Sequence, residues 1–241
     1  MITLVLLPGM DGTDCLFVDF VSALGPEFET ILVRYPTDEP LGYNELEGVA
    51  REFLPCDRPF ILLGESFSGP IAISLSASAP PGLTGLILCC SFASDPQPLF
   101  RVFRSLLRFI PIKRIPISLL SRFLLGRFSS CPTRSALRGA LDRVSAKVLK
   151  TRLDAVLEVD VSGHLARVRV PVLCLRASED HLVPRAASDH ISPSSSQVQV
   201  VDLVAPHFLL QALPSEAADV VRAFSRQVLI SRNYPFNREG S

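Results

Sequence analysis

Six short runs of Val, Ile and Leu, spaced by stretches of helical character, constrain this chain more than any other feature. The runs are Ile2 to Leu7, Thr30 to Arg34, Phe60 to Leu63, Gly85 to Cys90, Val170 to Arg176 and Val198 to Leu203. They barely alternate between apolar and polar residues, the pattern of parallel strands covered on both faces. Between them, Phe17 to Leu24, Asn44 to Leu54, Pro70 to Ser78 and Ser215 to Arg232 carry helix-like patterns. That order predicts an α/β chain wound about a mostly parallel sheet of about six strands. With 241 residues, 48% of them apolar, the chain can build one substantial core, alone or with a small subdomain.

From Ser94 to Leu165 the rhythm breaks and no strand is apparent. Leu, Phe and Ile interleave with Arg and Lys at helical spacing. Pro96, Pro98, Pro111, Pro116 and Pro132 divide the stretch into short helices. An insertion after the fourth strand sits over the carboxyl ends of the strands, where open sheets bind ligands. Residues 94–165 are therefore expected to form a helical lid on a core of residues 1–93 and 166–241. Residues 101–152 hold thirteen Lys or Arg and a single acid, Asp142, although the whole chain has a formal net charge of zero. Such arginines either coat a cap, their stems lying on its apolar face, or attract an acidic partner. Acyl carrier protein, a carboxylate-bearing substrate and an anionic membrane surface all fit that charge. The apolar face suggests a pocket for an acyl chain or a hydrophobic alcohol.

Other classes are disfavoured. A neutral chain without a binding motif gives no case for nucleic acid. No stretch approaches the roughly 20 apolar residues of a transmembrane segment. The start, Met1 to Gly9, lacks a basic region and an Ala-x-Ala site, so it reads as a first strand and the expected location is cytoplasmic. Cys15, Cys56, Cys89, Cys90, Cys131 and Cys174 form no Cys-x-x-Cys pair and no zinc spacing. Reduced structural thiols, no metal and no cofactor are expected. The polar tail from Asn233 to Ser241 is expected to fray.

The third run leads into Gly64-Glu65-Ser66-Phe67-Ser68-Gly69, and Pro70 onward can begin a helix. A serine in that setting reads as a nucleophile elbow of the Gly-x-Ser-x-Gly kind, on a tight turn between strand and helix. Ser66 then needs a base and an orienting acid, in the order Ser, Asp or Glu, His. Of the four histidines, His207 follows the last run and precedes the final helix, which makes it the base; His181 is the runner-up. His164 and His190 read as surface or hinge residues. The acid belongs on Ala177 to Pro184, after the fifth run. Asp180 fits best, Glu179 is its neighbour and alternative, and Asp160 precedes that run. Oxyanion donors are expected from the backbone N–H of Phe67 and, by position in the loop Leu7 to Asp14, of Met10.

Four segments together resemble the α/β-hydrolase superfamily: Leu7 to Thr13, Gly64 to Gly69, Val170 to Pro184 and Pro206 to Gln211. Among its members the chain looks closest to small bacterial hydrolases related to pimeloyl-carrier-protein methyl esterases. The resemblance implies a Ser66, Asp180, His207 triad with Met10 and Phe67 as oxyanion donors. Two departures stand out. Many relatives carry His-Gly where this chain has Pro8-Gly9. Relatives also often open with an antiparallel hairpin, whereas this chain begins at the strand that feeds the oxyanion loop. The implied activity is a serine hydrolase cleaving small-molecule carboxylic esters, that is, a carboxylesterase. A thioesterase or acyltransferase would use the same triad, and a non-catalytic binding protein could share the fold. Relatives that act on haloalkanes or epoxides carry Asp where Ser66 stands.

Overall fold

The computed structural model describes residues 1–96, 112–189, 191 and 198–233. Six strands form one sheet, as the six apolar runs predict, and where a mostly parallel sheet is expected every pairing is parallel. They are β1 (Ile2–Leu7), β2 (Phe28–Leu32), β3 (Phe60–Glu65), β4 (Leu83–Cys89), β5 (Val172–Ala177) and β6 (Val198–Leu203), in the order β2-β1-β3-β4-β5-β6.

The core explains why the runs do not alternate. Leu4 and Leu6 face one side, with Phe17, Phe20, Leu24, Val221 and Phe224. Val5 and Leu7 face the other, with Leu46, Ala50, Ile71 and Leu75. The first side is covered by α1 (Val18–Leu24) and α10 (Pro214–Asn233), the second by α2 (Tyr43–Arg51) and α3 (Gly69–Ala77). Leu4, Val5, Leu6 and Leu7 are all fully buried. Burial contributes about 1.5–3 kcal/mol for each such side chain, against a total span of about 1 kcal/mol for strand propensity. Two-sided burial therefore makes these residues strands. The second run begins earlier than its apolar content suggests. Gly25, at φ 75°, ends α1, and pairing starts at Phe28 against Ile2. Val33 lies past the end of β2 yet still donates its N–H to Leu6 O at 3.0 Å.

Between β4 and β5 the described residues form helices and no strand. These are α4 (Ile117–Leu125), α5 (Cys131–Arg143), α6 (Ala146–Val156) and the single turn α7 (Ser162–Leu165). Pro116 precedes α4, and Pro132 sits in the first turn of α5, where its missing N–H costs nothing. Ser130 and Ser145 cap α5 and α6, each accepting a backbone N–H at 3.2 Å from Thr133 and Val148. Pro98, Pro111, His190 and the tail from residue 234 lie outside the described residues. These helices touch the loops that follow several strands: Phe208 N donates to Leu124 O at 3.0 Å, and Ser145 N to Thr37 O at 2.8 Å. Two short helices, α8 (Arg185–Asp189) and α9 (Leu209–Ala212), complete the chain. No helix among the described residues is long and apolar enough to cross a membrane. All six cysteines are free, and Cys89, Cys90 and Cys174 are buried in the sheet.

Candidate active site

The chain leaves β1 in one direction to β2 and returns on the other side of β1 as β3, so the order reverses at β1. At such a switch point two neighbouring loops diverge and leave a crevice at the strand ends. Leu7 pairs with Gly64, which brings the loop after β1 beside the turn after β3. That turn is a tight 3-10 turn over Ser66–Ser68, with Ser66 held at φ 49°. A non-glycine residue there costs about 1–3 kcal/mol and persists only when its surroundings impose it. Ser91 imposes it in part by donating its hydroxyl to Ser66 O at 2.5 Å. A Cβ on Gly64 would come within 2.8 Å of Ser68 O and Ala72 Cβ, and one on Gly69 would overlap Ser91 Oγ.

The position two after Ser66 is Ser68, not glycine, so the hexapeptide departs from the Gly-x-Ser-x-Gly pattern. Ser68 is fully buried. Its hydroxyl donates to Pro8 O and accepts from Tyr35 Oη at 2.8 Å. The extra hydroxyl thus ties the turn to the loop after β1.

Ser66, His207 and Asp180 come together from three distant parts of the chain. Ser66 Oγ lies 2.8 Å from His207 Nε2, and His207 Nδ1 lies 2.7 Å from Asp180 Oδ2. An ionised carboxylate only accepts, so the proton between them sits on Nδ1. Nε2 is then free to accept from the serine hydroxyl. The other oxygen of Asp180 accepts backbone N–H groups from Leu182 at 2.8 Å and Val183 at 2.9 Å. Both the His207 and Asp180 side chains are only 3% exposed, so water competes little for these bonds.

The alternative candidates lie elsewhere. Glu179 pairs with Arg127 at 2.7 Å, and the His181 ring packs near Phe123, 6.0 Å between centroids. Asp160 accepts from Ser162 N at 3.0 Å. His164 is not a plain surface residue: its Nδ1 lies 2.7 Å from Ser74 Oγ. Phe67 is buried and stacks on Tyr43, 4.7 Å between centroids. Met10 occupies the turn closed by Gly12 N donating to Gly9 O at 3.0 Å.

A model of the alpha/beta hydrolase family matches residues 4–223, nearly the whole chain. The chain belongs to the alpha/beta hydrolase family. Solved structures agree at the level of fold. An esterase from Exiguobacterium antarcticum superposes with a TM-score of 0.79 at 14% identity, over 94% of this chain and 92% of that one. An enol-lactonase from Burkholderia xenovorans gives 0.76 at 16% identity, over 97% and 92%. A structure from Nitrososphaera gargenis, described in terms of carboxylesterases, gives 0.77 at 16% identity, over 95% and 92%. No curated protein matches the sequence.

Three further side chains build the site of this hydrolase without having been picked out by the sequence. Arg152, one of the thirteen basic residues of the inserted segment, is fully buried rather than coating a cap. Gln211 donates from Nε2 to Glu65 Oε1 at 2.9 Å. Glu65 itself is buried at the end of β3. Its acidic side chain directly after the apolar run Phe60 to Leu63 and beside Ser66 was the available signal. Loss of hydration raises its pKa from the ordinary 4.5 to about 7. The nearby Asp11 adds to the rise, and the hydrogen bond from Gln211 opposes it.

This has a measurable consequence. Between pH 4.5 and about 7 the folded protein keeps a proton on Glu65 that the unfolded chain has released. Stability therefore falls as pH rises through that window, and the loss is complete above it. At 1.36 kcal/mol per pH unit the loss is on the order of 3 kcal/mol. Glu65→Gln removes it. In urea unfolding, wild type is expected to lose stability relative to Glu65→Gln between pH 4.5 and pH 8. A gap that does not change with pH would contradict the assignment.

Proposed function

We propose that this protein is a serine hydrolase that cleaves carboxylic esters through an acyl-enzyme. The observation that carries the reading is the unbroken hydrogen-bond chain from Ser66 through His207 to Asp180, behind a serine held at positive φ. His207 Nε2 takes the Ser66 proton as Oγ bonds to the ester carbonyl carbon. The tetrahedral oxyanion is held by the backbone N–H groups of Met10 and Phe67. His207 then gives its proton to the alcohol oxygen as the carbon–oxygen bond breaks. Water enters, loses a proton to His207 and attacks the acyl carbon, and Ser66 leaves with that proton. Asp180 fixes the tautomer and stabilises the imidazolium. Neither metal nor cofactor enters any step.

Residues 94–165 act as a lid over a core of residues 1–93 and 166–241. The hydrogen bonds that Leu124 O accepts from Phe208 N and that Ser145 N donates to Thr37 O, in loops after the strands, support this. A cavity of about 290 Å³ lies beside Phe208, next to His207 in the chain; apolar Leu16, Val18, Leu125 and Ala136 line it with polar Asp19 and Thr133, and no triad residue does, so it suits an apolar acyl or alcohol part only as a site adjoining the triad. Cytoplasmic residence is supported by six free cysteines, three of them buried. The basic residues of the lid suit an acidic partner, either acyl carrier protein or an anionic surface. Binding to either is expected to weaken as ionic strength rises; binding that ignores salt, or none at low salt, removes the partner.

The test is a panel of p-nitrophenyl esters and matched thioesters of increasing acyl length, with purified protein. Saturable turnover, with oxygen esters giving the higher kcat/KM, is the expected result. A preference for thioesters, or transfer to an added alcohol in place of hydrolysis, would assign the triad to a thioesterase or acyltransferase. Binding without turnover of any ester would leave a non-catalytic binding protein.

A further inference from the structure

We infer that Arg152 is a positioning residue for the oxyanion loop, through which the inserted helices hold Met10 in register with Ser66. This rests on the esterase reading above. Arg152 lies on α6, and its side chain is 0% exposed. Burying a guanidinium is costly unless its donors are met. Here Nη1 donates to Met10 O at 2.8 Å and Nη2 to Pro36 O at 2.9 Å, while Nε is buried with no hydrogen-bond partner among the described residues, so the two carbonyls carry the polar anchoring of this side chain. The guanidinium carbon also sits over the Tyr35 ring, 5.6 Å from its centroid, within reach of a cation–π attraction. One planar fork therefore joins the loop after β1, the loop after β2 and the inserted segment.

The consequence falls on the Met10 N–H. Oxyanion donors work only when they already lie about 3 Å from where the charge develops. The turn from Gly9 to Gly12 is short, and holding the carbonyl of Met10 restricts the backbone of that residue. Gly12 completes the device. It sits at φ 73°, and a Cβ there would overlap Arg152 Nη1. Its carbonyl accepts from Tyr35 N at 2.9 Å. The glycine therefore supplies the turn and also clears the space for the guanidinium.

The expected signature is a loss of turnover without a loss of substrate binding. Arg152→Gln should lower kcat per active site on the order of 10²-fold, the cost of about an ångström of misplacement, with KM nearly unchanged. Affinity for a trifluoromethyl ketone, which forms a tetrahedral oxyanion on the serine, should fall by a similar factor. Arg152→Lys should recover only part of the loss, because one ammonium does not reproduce the fork to two carbonyls. A purely structural arginine would reduce the number of sites titrated by a fluorophosphonate while leaving kcat per titrated site and ketone affinity intact; that result overturns the inference. If Arg152→Gln does not fold, Arg152→Lys carries the same comparison. If wild type hydrolyses no ester, the esterase reading itself fails. Amide exchange over residues 9–13 then decides: faster exchange in Arg152→Lys supports the anchoring role, and unchanged exchange overturns it.

Discussion

Ser66→Ala is expected to lower kcat for ester hydrolysis by about 10⁴- to 10⁶-fold, the range seen when a triad nucleophile is removed. The fold should survive. Ser91 bonds the carbonyl of residue 66, not its side chain, so the turn keeps that support. Alanine and serine pay a similar steric cost at φ 49°. The lost group is the oxygen that lies 2.8 Å from His207 Nε2. A residual rate from the oxyanion donors and substrate binding should remain. The measurement is steady-state hydrolysis of p-nitrophenyl butyrate, with unchanged thermal unfolding as the control. Activity within tenfold of wild type would remove Ser66 from the chemistry.

Asp180→Asn should cost about 10⁴-fold in kcat, equivalent to roughly 5.5 kcal/mol of transition-state stabilisation. The substitution is nearly isosteric. An asparagine oxygen can still accept from Leu182 N and Val183 N, which now bond to Asp180 Oδ1. Its amide nitrogen would then face His207 Nδ1, where the carboxylate sits at 2.7 Å. A donor there favours the tautomer with its proton on Nε2, and that nitrogen can no longer take the serine proton. The variant should fold, bind substrate with a similar KM and fail in the chemical step. Loss of KM with kcat preserved would assign Asp180 to binding instead.

What was legible in the sequence follows from which forces are local. Parallel strands buried on both faces announce themselves as apolar runs, so six strands in a mostly parallel sheet could be anticipated. Chain order and position after a run were enough to pick Ser66, Asp180 and His207 as candidates that the structure brings within hydrogen-bond distance, because the fold presents its loops in sequence. The start of β2 was misplaced, since pairing of Phe28 with Ile2 follows the turn at Gly25 and not apolar content. The role of Ser68 is not legible in the sequence, because its bonds to Pro8 and Tyr35 join residues far apart in the chain. Arg152 was hidden among twelve other basic residues for the same reason. Nothing in its neighbours along the chain marks it as the one that meets Met10 and Pro36. Pairing across the fold, not local pattern, separates a surface arginine from a buried one.

The most direct test of the central claim is the mass of the protein after reaction with a fluorophosphonate, followed by mapping of the modified peptide. One adduct per chain, on Ser66, with labelling lost in His207→Ala, is the predicted result. Labelling of a different serine, or ester turnover by a chain that takes no label on Ser66, would contradict the account.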